Sequence, residues 1–144
     1  MNADQSWHRS IMVVEDDAGI GELLTLRLET AGYRVTWVKD GAAAMDRIAD
    51  VRPKLVVLDL GLPIMDGFQV LERLRAQPLW RNLPIFVLTA RHSEEDVKRA
   101  IRLGATGYMA KPFDAMALIS RIDKRLGPSL AAVPNTSARE WTSD

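Results

Sequence analysis

Four short apolar runs in this chain each end in a residue with a chemical handle, and that repetition limits the possible folds more than any other feature. Ile11-Met12-Val13-Val14 runs into Glu15-Asp16-Asp17, Leu55-Val56-Val57-Leu58 into Asp59, Ile85-Phe86-Val87-Leu88 into Thr89, and Gly107-Tyr108-Met109-Ala110 into Lys111. An unbroken apolar run of this length suits a strand buried on both faces, as in the centre of a parallel sheet. Arg34-Val35-Thr36-Trp37-Val38 reads as a further strand. Between the runs, apolar residues recur at helical spacing: Ile20, Leu24, Leu28 and Ala31; Met45 and Ile48; Phe68, Leu71 and Leu74; Val97, Ala100 and Ile101; Met116, Ile119, Ile122 and Leu126. Asp17, Asp66 and Ser93 are placed to cap helix starts, and Gly32, Gly104 and Gly127 to end them. Strands alternating with helices predict an α/β fold, a doubly wound five-stranded parallel sheet with helices on both faces.

The fold is expected over residues 11–127, with 1–10 and 128–144 as polar, unpatterned flexible tails, the second a terminus or a linker stub. At 144 residues there is no room for a second sizeable domain. The 19 basic and 19 acidic residues cancel, so no global field favours nucleic acid or an anionic membrane, and neither is expected as a direct partner. The absence of Cys excludes thiol chemistry, and His8 and His92 are too few for most His-based metal sites. No apolar run approaches the ~20 residues of a membrane helix and no signal pattern opens the chain, which makes a cytoplasmic protein the expectation.

In open parallel sheets the ligand crevice lies beyond the carboxyl ends of the strands. Right-handed crossovers would set strands one, three, four and five side by side, gathering Glu15, Asp16, Asp59, Thr89 and Lys111 there. Clustered carboxylates repel unless a cation neutralises them, and Mg²⁺ suits one or two carboxylates with water and phosphate oxygens. Asp16 and Asp59 are candidate direct ligands, with Glu15 acting through water. Lys111 and Thr89 add a positive charge and a hydroxyl, which suit a tetrahedral phosphoryl group. Singly, each has a plainer explanation: an acid after a strand is often a helix cap, a lone Lys a solvated charge, and a strand-end Thr a β-former. Convergence of all the strand ends on one edge favours the functional explanation. Trp37 is simply a strand residue, Trp7, Trp80 and Trp141 are peripheral, and no Trp is expected beside Asp59.

These residues closely resemble the receiver domain of two-component response regulators, of which the chemotaxis regulator is the prototype. The resemblance runs from about Ser10 to Leu126 and rests on Val13-Val14-Glu15-Asp16-Asp17, the segment Leu58 to Gly67 around Asp59, Leu88-Thr89-Ala90, and Gly104 to Phe113 with its Lys111-Pro112. It implies a flavodoxin-like strand order 2-1-3-4-5. By resemblance, Asp59 is the phosphoacceptor for a sensor histidine kinase, a histidine phosphotransfer protein or a small phosphodonor. Asp16, Asp59 and the Gly61 carbonyl would hold Mg²⁺, Glu15 would orient a metal-bound water, Lys111 would contact the phosphoryl group in a cis Lys111-Pro112 peptide, and Thr89 with Tyr108 would form the switch. Gly61 and Arg91 would tune the lifetime of the phosphoryl group. Such a domain catalyses only its own phosphorylation and slow dephosphorylation.

Receivers of winged-helix transcription factors carry an acidic pair before strand five and an acid early in the last helix, where this chain has Thr106-Gly107 and Ala117. Their salt-bridged dimer is therefore not expected. The face of the fourth helix, fifth strand and last helix, with Lys98, Arg99, Arg102, Tyr108, Arg121 and Lys124, is the expected surface for a downstream protein. A stand-alone regulator is expected over the excised receiver of a larger transcriptional or enzymatic one. The alternatives are a degenerate receiver working as an interaction module, which usually lacks one of the acids or the Lys, and a haloacid-dehalogenase-like phosphatase, which needs a second Asp where Gly61 stands.

Overall fold

The computed structural model describes residues 9–90 and 93–127. The elements are β1 (Ser10–Val14), α1 (Ala18–Thr30), β2 (Arg34–Val38), α2 (Gly41–Val51), β3 (Leu55–Asp59), α3 (Gly67–Ala76), β4 (Ile85–Thr89), α4 (Glu94–Arg102), β5 (Gly107–Ala110) and α5 (Ala115–Leu126), with a 3₁₀ turn at Pro78–Trp80. The sheet is parallel throughout in the order β2-β1-β3-β4-β5, as expected. β1, β3 and β4 are buried at every position, and their side chains alternate between two cores. Met12, Val14, Val56, Leu58 and Val87 pack on α2, α3 and Ala100 of α4. Ile11, Val13, Val57 and Leu88 pack on α1 and α5.

Local chemistry starts each helix where the sequence put it. Asp17 accepts from the Ile20 N–H at 2.9 Å, Asp40 from Ala43 at 2.7 Å, and Ser93 from Asp96 at 3.1 Å. Asp66 and Gln69 form a reciprocal capping box. At Gly67 an added Cβ would lie 2.4 Å from the Asp59 carbonyl oxygen, so only glycine lets α3 begin directly against the end of β3.

The structure corrects four expectations, and the first is Trp80: expected at the periphery, it is buried in the core beneath α2 and α3. On α5 the buried face is Leu118, Ile119 and Ile122, while Met116, expected inside, is 62% exposed. On α4 only Ala100 is buried, and Ile101, also expected inside, is 59% exposed. Both helices are short amphipathic segments whose spacing allows either of two neighbouring stripes to face the sheet. Packing rather than period chose between them. The ordered fold also starts earlier than Ile11: Ser10 opens β1, and Arg9 is buried. The rest of the expected tails, together with Arg91 and His92, lies outside the described residues.

Arg9 is buried among partners from the α1–β2 turn and the end of α5. Its guanidinium lies 4.2 Å from the centroid of the Tyr33 ring, donates to the Gly127 carbonyl at 3.0 Å and reaches Asp123 at 4.0 Å. The Tyr33 hydroxyl donates to Asp123. Burial pushes the Tyr33 phenol well above its usual range, and the Asp123 carboxylate adds to the shift. The folded state therefore keeps this proton where the unfolded chain releases it, and the stability it contributes is lost as pH rises above about 10. Tyr33→Phe should flatten the alkaline limb of a stability-against-pH profile measured by urea unfolding.

Ile64, in the loop before α3, has φ 70°, and the Met65 N–H closes on the Pro63 carbonyl at 2.7 Å across it. A β-branched residue in this left-handed region is strained. The Ile64 side chain is 82% exposed and contributes little packing. Ile64→Gly should stabilise the fold by about 1 kcal/mol, since relieved strain outweighs the added unfolded-state entropy. The shift of the urea midpoint at constant m measures it.

Candidate functional site

The C-terminal edge of the sheet gathers the residues that end its strands. Glu15 and Asp59 are buried, Asp16 is exposed, and one carboxylate oxygen of each lies within 4.8 Å of the others. Lys111 follows β5 and reaches in between: its Nζ is 2.9 Å from Glu15 Oε1 and 3.2 Å from Asp59 Oδ2. Thr89 is fully buried at the end of β4, beside Ala110 in register, and its carbonyl accepts from the Lys111 N–H at 2.9 Å. The Lys111-Pro112 peptide is cis, as the resemblance implied. The Gly61 N–H donates to Asp59 Oδ1 at 3.1 Å, and the Asp17 N–H to Glu15 Oε2 at 3.2 Å. Six of the seven expected site residues thus lie at the carboxyl edge of the sheet. Tyr108 stands apart, half-buried in β5 against the α2–α3–α4 core.

Electrostatics follow from this packing. Burial pushes the Glu15 carboxyl above its ordinary range; the Lys111 ammonium opposes the shift and nearby Asp59 adds to it. For Lys111, burial works against the charge, but the hydrogen bond and charge of Glu15 and the charge of Asp59 outweigh it, and its pKa is raised. Burial, and after it Asp96, raises the Tyr108 phenol.

The residues present fit a divalent cation. Three carboxylates against one ammonium leave a formal charge of two negatives, which one such ion cancels. Glu15 Oε1 is buried and faces Lys111 Nζ at 2.9 Å with no further partner among the described residues, so it has a lone pair left to accept from a metal-bound water.

One contributor escaped the sequence reading. The Trp37 indole N–H donates to the Glu15 carbonyl at 2.8 Å, fixing the acidic turn from β2. Trp37, read simply as a strand residue, is one hydrogen bond from the cluster. Its ring lies flat on Gly21, where an added Cβ would come within 2.0 Å of it. Gly21 inside α1 is the available signal: a glycine in a helix interior is unfavourable unless something packs against its bare backbone. Trp37→Phe keeps an aromatic ring over Gly21 but orphans the carbonyl of a buried residue, and should cost about 1–3 kcal/mol in urea unfolding.

A parallel 2-1-3-4-5 sheet with an acid cluster and a lysine at its carboxyl edge defines a class of phosphoryl-handling α/β domains. Residues 11–123 match the response regulator receiver domain, and the chain belongs to that family. It is 37% identical over 132 residues to the alkaline phosphatase synthesis transcriptional regulatory protein of Bacillus subtilis, covering 92% of this chain and 54% of that relative. The chain thus spans about half the length of the curated relatives it matches. Among solved structures it superposes on a putative response regulator from Chloroflexus aurantiacus with a TM-score of 0.77 at 34% identity, covering 82% of this chain and 97% of the other. It also superposes on the receiver domain of a Pseudomonas aeruginosa sensor histidine kinase with a magnesium ion coordinated in its active site cleft. That match has a TM-score of 0.76 at 32% identity and covers 83% and 98% of the two chains. No helix among the described residues is long and apolar enough to cross a membrane.

Proposed function

We propose that this receiver accepts a phosphoryl group on Asp59 from the phosphohistidine of a sensor kinase or phosphotransfer protein. The observation that carries this is the position of Asp59: buried at the end of β3, with one oxygen held by the Gly61 N–H and the other facing Lys111. A carboxylate oxygen attacks phosphorus, the P–N bond to the donor imidazole breaks, and the electron pair leaves with that ring, which takes up a proton. Asp16, Asp59 and the Gly61 carbonyl would hold Mg²⁺, with Glu15 acting through a bound water. When bound, the ion supplies positive charge to the transferring oxygens. Lys111 sits 3.2 Å from Asp59 and supplies a second positive charge to the same group.

The switch runs through Thr89 and Tyr108. A phosphoryl group on Asp59 adds acceptor oxygens beside the buried end of β4, drawing the Thr89 hydroxyl toward them. Tyr108 lies one strand over, pairing with Val87, and moves further into the space that Thr89 vacates. α4 is suited to follow, since it buries only Ala100. The α4–β5–α5 face then presents its altered form to a downstream protein. On the donor side, exposed Leu23 and Leu26 of α1 and Met116 of α5 offer apolar area for docking.

Intact mass after incubation with Mg²⁺ and acetyl phosphate tests the reading. Wild type should gain one phosphoryl group, and Asp59→Asn none. Lys111→Met should react about a hundredfold more slowly, the usual loss for one transition-state charge contact. If wild type neither gains mass nor binds beryllofluoride, the chain is a receiver fold used as a constitutive interaction module.

A further inference from the structure

The opposite end of the sheet carries the reverse charge. The C-termini of α3, α4 and α5 converge on the start of β5, forming an open cleft of about 560 Å³ lined by Arg75, Arg81, Arg102 and Arg125 together with Asn82 and Thr106. No acidic side chain lines it. In a chain whose acids and bases are equal in number, four guanidiniums around one cleft are a marked segregation.

Their placement has a partial structural cause, because helix C-termini favour cations. Arg75 is explained in this way. It is half-buried and donates to the Gly104 carbonyl through Nε at 3.0 Å and Nη2 at 2.7 Å, and to the Trp80 carbonyl through Nη1 at 2.8 Å. That bonding leaves its charge unneutralised, and burial together with nearby Arg125 depresses its pKa. Arg81, Arg102 and Arg125 are exposed, and among the described residues none of the three has a carboxylate within ion-pair distance. Their planar donor forks match phosphate oxygens in pairs. The Thr106 hydroxyl, which accepts from the Ile85 N–H at 3.0 Å, and exposed Asn82 add polar groups to the rim.

We propose that this cleft binds a polyphosphate group, an anion with two or more linked phosphoryl units, at a site separate from the phosphoacceptor. Four guanidiniums carry more positive charge than one orthophosphate, with about two negative charges at neutral pH, can neutralise, whereas a chain of linked phosphoryl units supplies enough. The site lies at the amino ends of β4 and β5, so its occupant needs neither Asp59 nor Mg²⁺.

The test is a titration with tripolyphosphate in EDTA, followed through the backbone amide resonances of Gly104 and Thr106 in the ¹⁵N-labelled 144-residue chain. Saturable shifts below about 1 mM at low salt are expected, with orthophosphate at least about tenfold weaker. Arg102→Ala/Arg125→Ala should weaken binding about tenfold or more while retaining the wild-type thermal transition. Arg27→Ala/Arg47→Ala, an equal charge change at exposed positions of α1 and α2, should leave binding unchanged. The proposal is overturned if no resonance near the cleft shifts, if both double variants lose affinity alike, or if a glutamate oligomer of equal charge binds as tightly, which would make the cleft a dock for an acidic peptide. Because the readout is metal-free and distant from Asp59, it can fail while phosphorylation succeeds, and the reverse.

Discussion

The ion pairs from Lys111 to Glu15 and Asp59 are the contacts on which the rest of the site depends. They join the ends of β1, β3 and β5 across β4, and they hold two buried carboxylates that could not share so small a volume unneutralised. Their value lies in placement more than in stability, since desolvation consumes much of the Coulombic gain in a buried pair. The residues around them serve that placement. Trp37 fixes the Glu15 carbonyl, the Gly61 N–H fixes one Asp59 oxygen, and Gly67 lets α3 pack directly on the end of β3.

The two sheet ends divide the labour. At the carboxyl edge, strand ends bring two buried carboxylates and one lysine together beside exposed Asp16. Two strand positions in from that edge, Tyr108 packs against a core that α4 touches through little more than Ala100 and partly buried neighbours. Arg99 lies 4.1 Å from the centroid of the Phe68 ring, a further tie between α4 and α3. A helix with a single fully buried residue and a surface cation–π contact opens at low free-energy cost, a property the proposed switch would use.

Much of this was legible in the sequence, and for a physical reason. Strands buried on both faces must be apolar throughout, so β1, β3 and β4 announce themselves, and their polar terminators mark the edge where a ligand can bind. Helix caps were equally legible because Asp17, Asp66 and Ser93 act on backbone only three residues away. What stayed hidden was set by long-range partners. Arg9 looks like the end of a polar tail until Tyr33, Asp123 and Gly127 come together around it. Trp37 looks like strand filler until α1 brings Gly21 beneath it. Met116 and Ile101 fit the helical period of α5 and α4 but belong to the stripe that packing left outside.

The charge pattern sharpens the contrast between the two ends. Net neutrality predicts an unremarkable field, yet the chain separates its charges along the strand direction, with carboxylates at the carboxyl edge and guanidiniums at the amino ends of β4 and β5. Helix geometry supplies part of this, since α3, α4 and α5 all end at the basic side and their carbonyls favour cations there. Thr106-Gly107 at the head of β5 adds no carboxylate there, and no acidic side chain lines the cleft. A cationic surface without anions of its own has two stable outcomes: its cations spread into solvent, or an external anion neutralises them. Arg75, half-buried and bonded to carbonyls rather than carboxylates, shows that at least one of these charges has not spread.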